Sequence, residues 1–461
     1  MKSNIFILCF IFLGTCVVSV DAGEQERRVE EANRQDADAA RSHTVKTGAF
    51  FLDYGGWINF RYNRFTDEDN DKSSRDLLRT STQLDARTWL KFTRVMDPEQ
   101  GQEHTFYLRF KDRYVTRTGQ APGARYDNDG PHVDHAYGIL DLRPVWIEAG
   151  RRYFNVGRGI AYSDINDGIQ INYRKPGFNA GLFAAKSLPH QSNIDTSVPG
   201  YDKHNERYFY GLGLGYTGIP RQSLYGFVLA QNDFSDEGPN DSSRNYTYNS
   251  QYFGLGSKGG FLKSWSYWSE IILQTGSSRV YTTDERKDVR AFAFDTEVVY
   301  APDMSGRPRL SLEYALGSGD KDRQSVTDTQ FGNTSGADRN FLYFGYAPTG
   351  YALAPRLSNL QMLRAGFEFA PFERVSAFKH LTLGIDIYSF YKHRSGGGIS
   401  DLEATEDAMD VGREVDLTLK WRVLSDVTVS LEYGRFMPGD AYAPSANSSQ
   451  DFLSIGITHT F

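Results

Sequence analysis

Cysteine is nearly missing from this chain of 461 residues: Cys9 and Cys16 are the two examples, and both fall in an N-terminal stretch that reads as a leader. The mature chain is expected to carry no disulfide, no thiolate nucleophile and no cysteine-based metal site. Long apolar runs are missing beyond the leader, and a mean hydropathy of −0.51 with 24% charged residues excludes a helical membrane protein. Basic excess is missing too, since the net charge is −7, which argues against nucleic acid as a partner. Neither His-Glu-x-x-His nor Gly-x-Ser-x-Gly occurs. Gly317-Ser318-Gly319-Asp320 lacks the Gly-Lys-Ser/Thr that a phosphate cradle needs, and reads as a strand leaving for an external loop. Asp67, Asp69 and Asp71 alternate like calcium ligands, but Lys72 takes the glycine position and Leu78 the place of the bidentate glutamate. His190 and Ser192 share a loop with no third orienting group. Catalysis, a metal and any other cofactor are therefore not expected.

Aromatic residues and glycine are abundant, with 28 Tyr, 31 Phe and 44 Gly. Lys2 precedes an apolar run from Ile5 to Val20, followed by Asp21-Ala22, which predicts a signal peptide over 1–22. Residues 23–47 are rich in Glu, Arg and Ala and read as a solvated periplasmic linker. At the other end, Leu453, Ile455, Ile457 and Phe461 share one strand face while Ser454, Gly456, Thr458 and Thr460 share the other. One face suits lipid and the other water, and a terminal aromatic strand resembles the signal read by the outer-membrane barrel-insertion machinery.

Between these ends, residues 48–461 break into about eighteen alternating segments, near 48–64, 78–96, 103–116, 134–142, 145–150, 167–174, 178–187, 207–217, 222–231, 250–257, 264–276, 290–300, 308–316, 359–370, 379–392, 411–423, 427–436 and 451–461. Short turns such as Arg143-Pro144 and Lys175-Pro176-Gly177 alternate with long polar stretches such as Thr118 to Val133 and Gly317 to Ser358. The predicted fold is all-β: a transmembrane antiparallel barrel of about eighteen strands, with short periplasmic turns, long extracellular loops and a lumen wide enough for water rather than a packed core. That places the chain in the outer membrane of a Gram-negative bacterium.

A lysine or arginine on the lipid face costs about 2–4 kcal/mol at midplane, so charge parity assigns the faces. Asp85, Arg87, Trp89 and Lys91 share one face of their strand; Arg109, Lys111 and Arg113 repeat at period two on the next. The same reading turns Gln170, Asn172 and Arg174 inward, then Arg364 with Glu368, and Lys420 and Arg422 with Glu414 and Asp416. Asp295, Glu297, Glu313, Asp386 and Glu432 join them. Such a wall has two readings: ion pairs that only stabilise a polar interior, or guanidinium groups that replace water around a passing polyanion.

Leu312-Glu313-Tyr314-Ala315-Leu316-Gly317-Ser318-Gly319-Asp320, Leu357-Ser358-Asn359-Leu360-Gln361, Val411-Gly412-Arg413-Glu414-Val415-Asp416-Leu417 and Pro438-Gly439-Asp440-Ala441-Tyr442 resemble, in order and spacing, the alginate-export family of outer-membrane porins. The resemblance implies a monomeric eighteen-strand barrel that carries an anionic exopolysaccharide, alginate or a similar polyuronate, from periplasm to cell exterior through an arginine-containing lumen. Periplasmic polysaccharide-synthesis proteins would be its partners beside the bilayer. It makes Arg87 one lumenal arginine and Arg151, in its Gly150-Arg151-Arg152 context, another; Arg152 beside it is counted with the expected lumen path. There are departures. Glu432, or a displaced Arg435, stands where an arginine is expected, as does His135; Leu424-Ser425-Asp426 leaves no room for a long periplasmic lid, and Thr118 to Val133 is short for a plug. A general or substrate-selective nutrient porin, and a barrel with a filled lumen acting as an enzyme, stay open as alternatives.

Overall fold

The computed structural model describes residues 43–66, 79–118, 125–188, 206–234, 248–279, 285–323, 326 and 333–461. The predicted leader and cleavage site, the Asp67 to Asp71 stretch, and His190 with Ser192 lie outside them. Nineteen strands follow in chain order: β1 (His43–Thr47), β2 (Phe50–Thr66), β3 (Thr80–Asp97), β4 (Gln102–Thr118), β5 (Arg125–Leu142), β6 (Val145–Asn155) and β7 (Ser163–Lys175). Then come β8 (Phe178–Lys186), β9 (Arg207–Tyr216), β10 (Gln222–Asp233), β11 (Tyr248–Leu262), β12 (Trp265–Arg279) and β13 (Arg286–Tyr300). The last six are β14 (Arg309–Gly317), β15 (Leu360–Phe369), β16 (Leu381–Lys392), β17 (Asp410–Arg422), β18 (Val427–Pro438) and β19 (Gln450–Thr460).

Each strand from β2 onward pairs antiparallel with the next, and β19 returns to pair with β2, so eighteen strands close into a barrel. At the seam, Gly56 N–H donates to the Phe461 carbonyl at 3.0 Å and Phe461 N–H donates to that of Gly56 at 2.9 Å. Closure leaves no unpaired edge, the condition for strands in lipid. β1 is an addition: the last five residues of the expected linker form a short exposed hairpin arm on the start of β2. It turns at Gly48, whose φ of 61° suits a residue without a side chain.

The side chains obey the alternation. Phe60, Leu84, Phe110, Leu212, Leu273, Leu312 and Ile455 stand exposed on the outer face, while Asn59, Arg61, Gln83, Asp85, Glu313 and Ser454 are buried on the inner one. This inversion of the soluble pattern marks a lipid-facing exterior. No helix among the described residues is long and apolar enough to cross a membrane, so the strands carry that task.

Three connections depart from expectation. The stretch Thr118 to Val133, expected as a loop, is strand from Arg125 onward, where β5 begins. The described part of 318–359 does not stand outside the barrel as an external loop but turns into it: Phe341, Leu342, Tyr343 and Phe344 are all buried there. Asp338 bridges to Val289 of β13 and Phe344 to Tyr162. They pack on inward apolar residues of the wall, among them Phe154, Phe183, Phe209, Phe227, Tyr252, Ile272, Phe390 and Phe436. Burial of each large side chain stabilises by about 1.5–3 kcal/mol, which holds an aromatic loop inside in preference to water. The expectation of a lumen with water rather than a packed core is thus corrected for this half of the barrel. The second inward turn is 156–162, between β6 and β7, where Val156, Ile160, Ala161 and Tyr162 join the same core.

Candidate functional site: a charged lumen crossed by two loops

The basic residues of β3 and β4 point inward as parity requires, but they are packed and paired. The Arg87 guanidinium donates twice to Asp85, at 2.8 Å each, and again to Asp134 at 3.3 Å. Arg109 grips Asp134 at 2.7–3.0 Å. The register of β4 against β5 shifts between Arg109 and Phe110, and this bulge turns Asp134 in between the two arginines. His135, which stands where an arginine was expected, has its Nδ1 2.7 Å from an Arg109 nitrogen. Both guanidinium groups also lie over the buried Trp57 ring, 5.7 and 5.4 Å from its centroid. Lys111 and Arg113 are buried above them, and Lys91 lies half-buried towards the short-turn end. Arg61 of β2, which sequence reasoning did not single out, pairs with Glu432 at 3.0 Å, and thereby accounts for the acidic residue at that departure.

Arg151 and Arg152 cannot share a face, because successive strand residues point opposite ways. Arg152 takes the inner one, bonded to Glu148 and donating to Gln170 at 3.1 Å, with its guanidinium 5.3 Å from the Phe154 ring centroid. Arg151 is corrected to the outer wall. It is fixed by two bonds to Asp167 at 2.8 and 3.0 Å and a third to the Val133 carbonyl at 3.0 Å. Asp167 shares its face of β7 with the exposed Ile169 and Ile171. Neutralisation by Asp167 makes a cation tolerable there.

A second, acid-rich wall faces the first: β13 lies nine strands from β4 in the ring of eighteen, directly across the lumen. Arg364 bonds Glu313 at 2.9 Å, Asp386 at 3.3 Å and Glu297 at 3.4 Å. Arg158, carried on the inward turn 156–162, enters the same cluster and reaches Asp295, Glu297 and Glu313 at 3.1–3.2 Å. Its backbone N–H donates to Glu270 at 2.8 Å. Gly157 permits this approach, since a Cβ there would sit 2.1 Å from the Glu270 carboxylate and its φ is 54°. Arg158 was missed in the sequence. Its only signal is the Gly157-Arg158-Gly159 tripeptide between two short strands.

The remaining expected residues cluster near the short-turn rim. Arg174 lies 5.2 Å from the Trp146 ring centroid. Lys420 and Arg422 take the inward parity at the end of β17. Arg422 donates to the ring of His380 at 3.0–3.1 Å. Desolvation, then the charges of Arg422, Lys379 and Arg307, hold the His380 pKa below its ordinary value. Higher in the lumen, the Glu414 carboxylate accepts three backbone N–H bonds from Tyr351, Ala352 and Leu353, at 2.5, 2.7 and 2.9 Å, and pins the long inward loop to β17. Among the described residues no cluster of His, Cys, Asp and Glu is arranged to hold a metal ion.

A closed antiparallel barrel of eighteen strands, apolar outside and charged within, defines an outer-membrane protein of the porin class. Residues 58–455 match the family described as alginate export, and the chain belongs to that family. Solved structures agree on the fold. Pseudomonas aeruginosa OccK5 (OpdH) superposes with a TM-score of 0.52 at 10% identity, over 89% of this chain and 98% of that one. OccK8 (OprE) of the same organism gives 0.51 at 11% identity, again over 89% and 98%. OccK11 (OpdR), also from P. aeruginosa, gives 0.50 at 13% identity, over 89% and 96%. No curated protein matches the sequence. The protein resides in the outer membrane of a Gram-negative bacterium.

Proposed function

We propose that this barrel is a channel, not an enzyme, and that it passes an anionic exopolysaccharide of the alginate type from periplasm to cell exterior. The observation that carries the reading is the inward set Arg87, Arg109, Arg152 and Arg364, each already bonded to carboxylates of the wall. A guanidinium fork that holds an aspartate can hold a uronate in the same geometry. Exchange of one carboxylate partner for another leaves the charge balanced at every step, and several moderate contacts let a polymer leave as readily as it arrives. Passage requires the described part of the loop after β14 to move aside, since its residues 341–344 fill part of the lumen. Lys91, Lys111, Arg113, Arg174, Lys420 and Arg422 would extend the path along the wall and towards the rim.

The test is single-channel recording of the purified, refolded protein in planar bilayers. The expected result is an anion-selective current blocked by oligo-uronates and unaffected by neutral oligosaccharides of equal length, with block weakened in Arg152→Gln. A second reading, uptake of small solutes, is favoured by the narrowing that the two inward loops impose. It predicts current that neither class of oligosaccharide blocks, together with permeation of small solutes into proteoliposomes.

A further inference from the structure

Among the described residues, the longest connection at the periplasmic end is 370–380, between β15 and β16. Three successive bonds wind it into turns of three residues. Val375 N–H donates to the Phe372 carbonyl, Phe378 N–H to that of Val375 and Leu381 N–H to that of Phe378, each at 2.9 Å. Side chains three apart then stand on one side. Phe372, Val375 and Phe378 are all exposed, and the two rings lie 6.0 Å apart between centroids.

This lobe folds onto the outside of the barrel and not across its mouth. The Phe378 ring stacks on Trp421 with centroids 5.0 Å apart, and the Trp421 Nε1–H donates to the Ala377 carbonyl at 3.1 Å. Trp421 shares the outer face of β17 with the exposed Leu417. Its cross-strand partner Leu381 shares the outer face of β16 with the exposed Ile387, yet Leu381 is only 7% exposed. The returning chain covers it. The neighbouring turn between β13 and β14 holds the lobe in place: Ala370 N–H donates to the Gly306 carbonyl at 2.6 Å, the Ser305 hydroxyl to Glu373 at 2.9 Å and Arg307 to the Lys379 carbonyl at 3.3 Å. That turn adds the exposed Met304. Its Arg307 lies 3.8 Å from Glu373, and Asp303 is the remaining acid of the two connections. Arg374 and Lys379 are exposed and have no ion-pair partner among the described residues.

We propose that this lobe is a docking site for an anionic phospholipid of the periplasmic leaflet. Phe372, Val375, Phe378 and Met304 lie among acyl chains at the headgroup boundary, while Arg374 and Lys379 take the phosphate. The lipid-facing wall ends at Trp421 and Leu381, and the apolar side chains stacked there continue the same surface. Free phosphate would satisfy the two cations but leave that apolar patch in water. The site does not depend on what passes through the lumen.

The experiment uses the full-length protein with Cys9→Ser and Cys16→Ser, which leaves a single thiol when Val375→Cys is added for a nitroxide label. The labelled protein is placed in nanodiscs of phosphatidylcholine mixed with phosphatidylglycerol, and collisions with oxygen, which enters lipid, are compared with those of a water-soluble nickel chelate. Oxygen should dominate at 375, and the chelate at a control label, Glu99→Cys, in the polar turn between β3 and β4. Native mass spectrometry then titrates each lipid onto the protein in detergent. Phosphatidylglycerol should be retained in preference to phosphatidylcholine. A cation at an anionic lipid surface strengthens binding roughly fivefold, so Arg374→Gln with Lys379→Gln should reduce that preference by about tenfold or more. Lys263→Gln, on another sector of the same rim, should leave it in place. Heat-modifiable gel migration checks that each variant is folded. Chelate access at 375 equal to that at 99 would place the lobe in water, as the surface for a periplasmic protein, and overturn the proposal. Equal retention of the two lipids, or an equal loss with Lys263→Gln, would overturn it as well.

Discussion

Asp134 serves two guanidinium groups at once, and removing it would leave Arg109 and part of Arg87 buried without compensation. Breaking a buried pair from one side costs roughly 3–5 kcal/mol, so Asp134→Ala should lower the urea midpoint of the refolded protein strongly. Asp167→Ala, at a far more exposed pair on the outer wall, should shift it by about 1 kcal/mol or less. Equal effects would mean that the inner pair is solvated. The inward parity of Arg87, Arg109, Lys111, Arg113 and Arg364 was legible because a charge has one affordable side of a membrane strand. Arg151 was misplaced because a Gly-Arg-Arg likeness was allowed to outweigh the rule that neighbours on a strand diverge. The role of Asp134 was not legible, since a bulge turned it inward and no periodicity announces a bulge.

At the scale of elements, all eighteen expected segments have a counterpart among β2 to β19, most within a few residues. Their period of two is a property of each strand alone, so it survives in the sequence without knowledge of neighbours. The largest departure is β5, which starts at Arg125 rather than 134; β11 runs to Leu262 rather than 257, and at the inward turn between β6 and β7 the first ends at Asn155 rather than 150 and the second starts at Ser163 rather than 167. The inward course of 333–359 was hidden because loop placement depends on what it packs against. Two hints were present: the run Phe341-Leu342-Tyr343-Phe344 inside a supposedly polar loop, and a strand, β8, whose Phe183 and Ala185 face inward while Leu182 faces out. Replacing 339–356 by a short Gly-Ser linker should leave a folded barrel with several-fold larger unitary conductance. Glu414→Gln, which weakens the acceptor of three N–H bonds, should make openings more frequent in the same recordings. An unaltered conductance after the excision would show that the narrowing lies elsewhere.

Over the whole molecule, the net charge of −7 conceals its distribution, because basic residues gather on β3 and β4 and acidic ones across from them on β12 to β14. Sequence parity revealed that both signs face inward; their opposition needed the ring, which sets strands far apart in sequence face to face. The same ring closes through partners almost the full chain apart, as in the 2.7 Å bond from Asn59 to Thr458. That seam acts as a test of completeness. A chain that lost β19 would leave β2 and β18 each with a row of bare amides and carbonyls facing hydrocarbon, at several kcal/mol per group. Such a fragment cannot rest in the bilayer as a smaller pore. It must stay a substrate for chaperones and proteases, so truncation yields no leaky, half-built channel, and the cell's permeability barrier is guarded by the geometry of the fold itself.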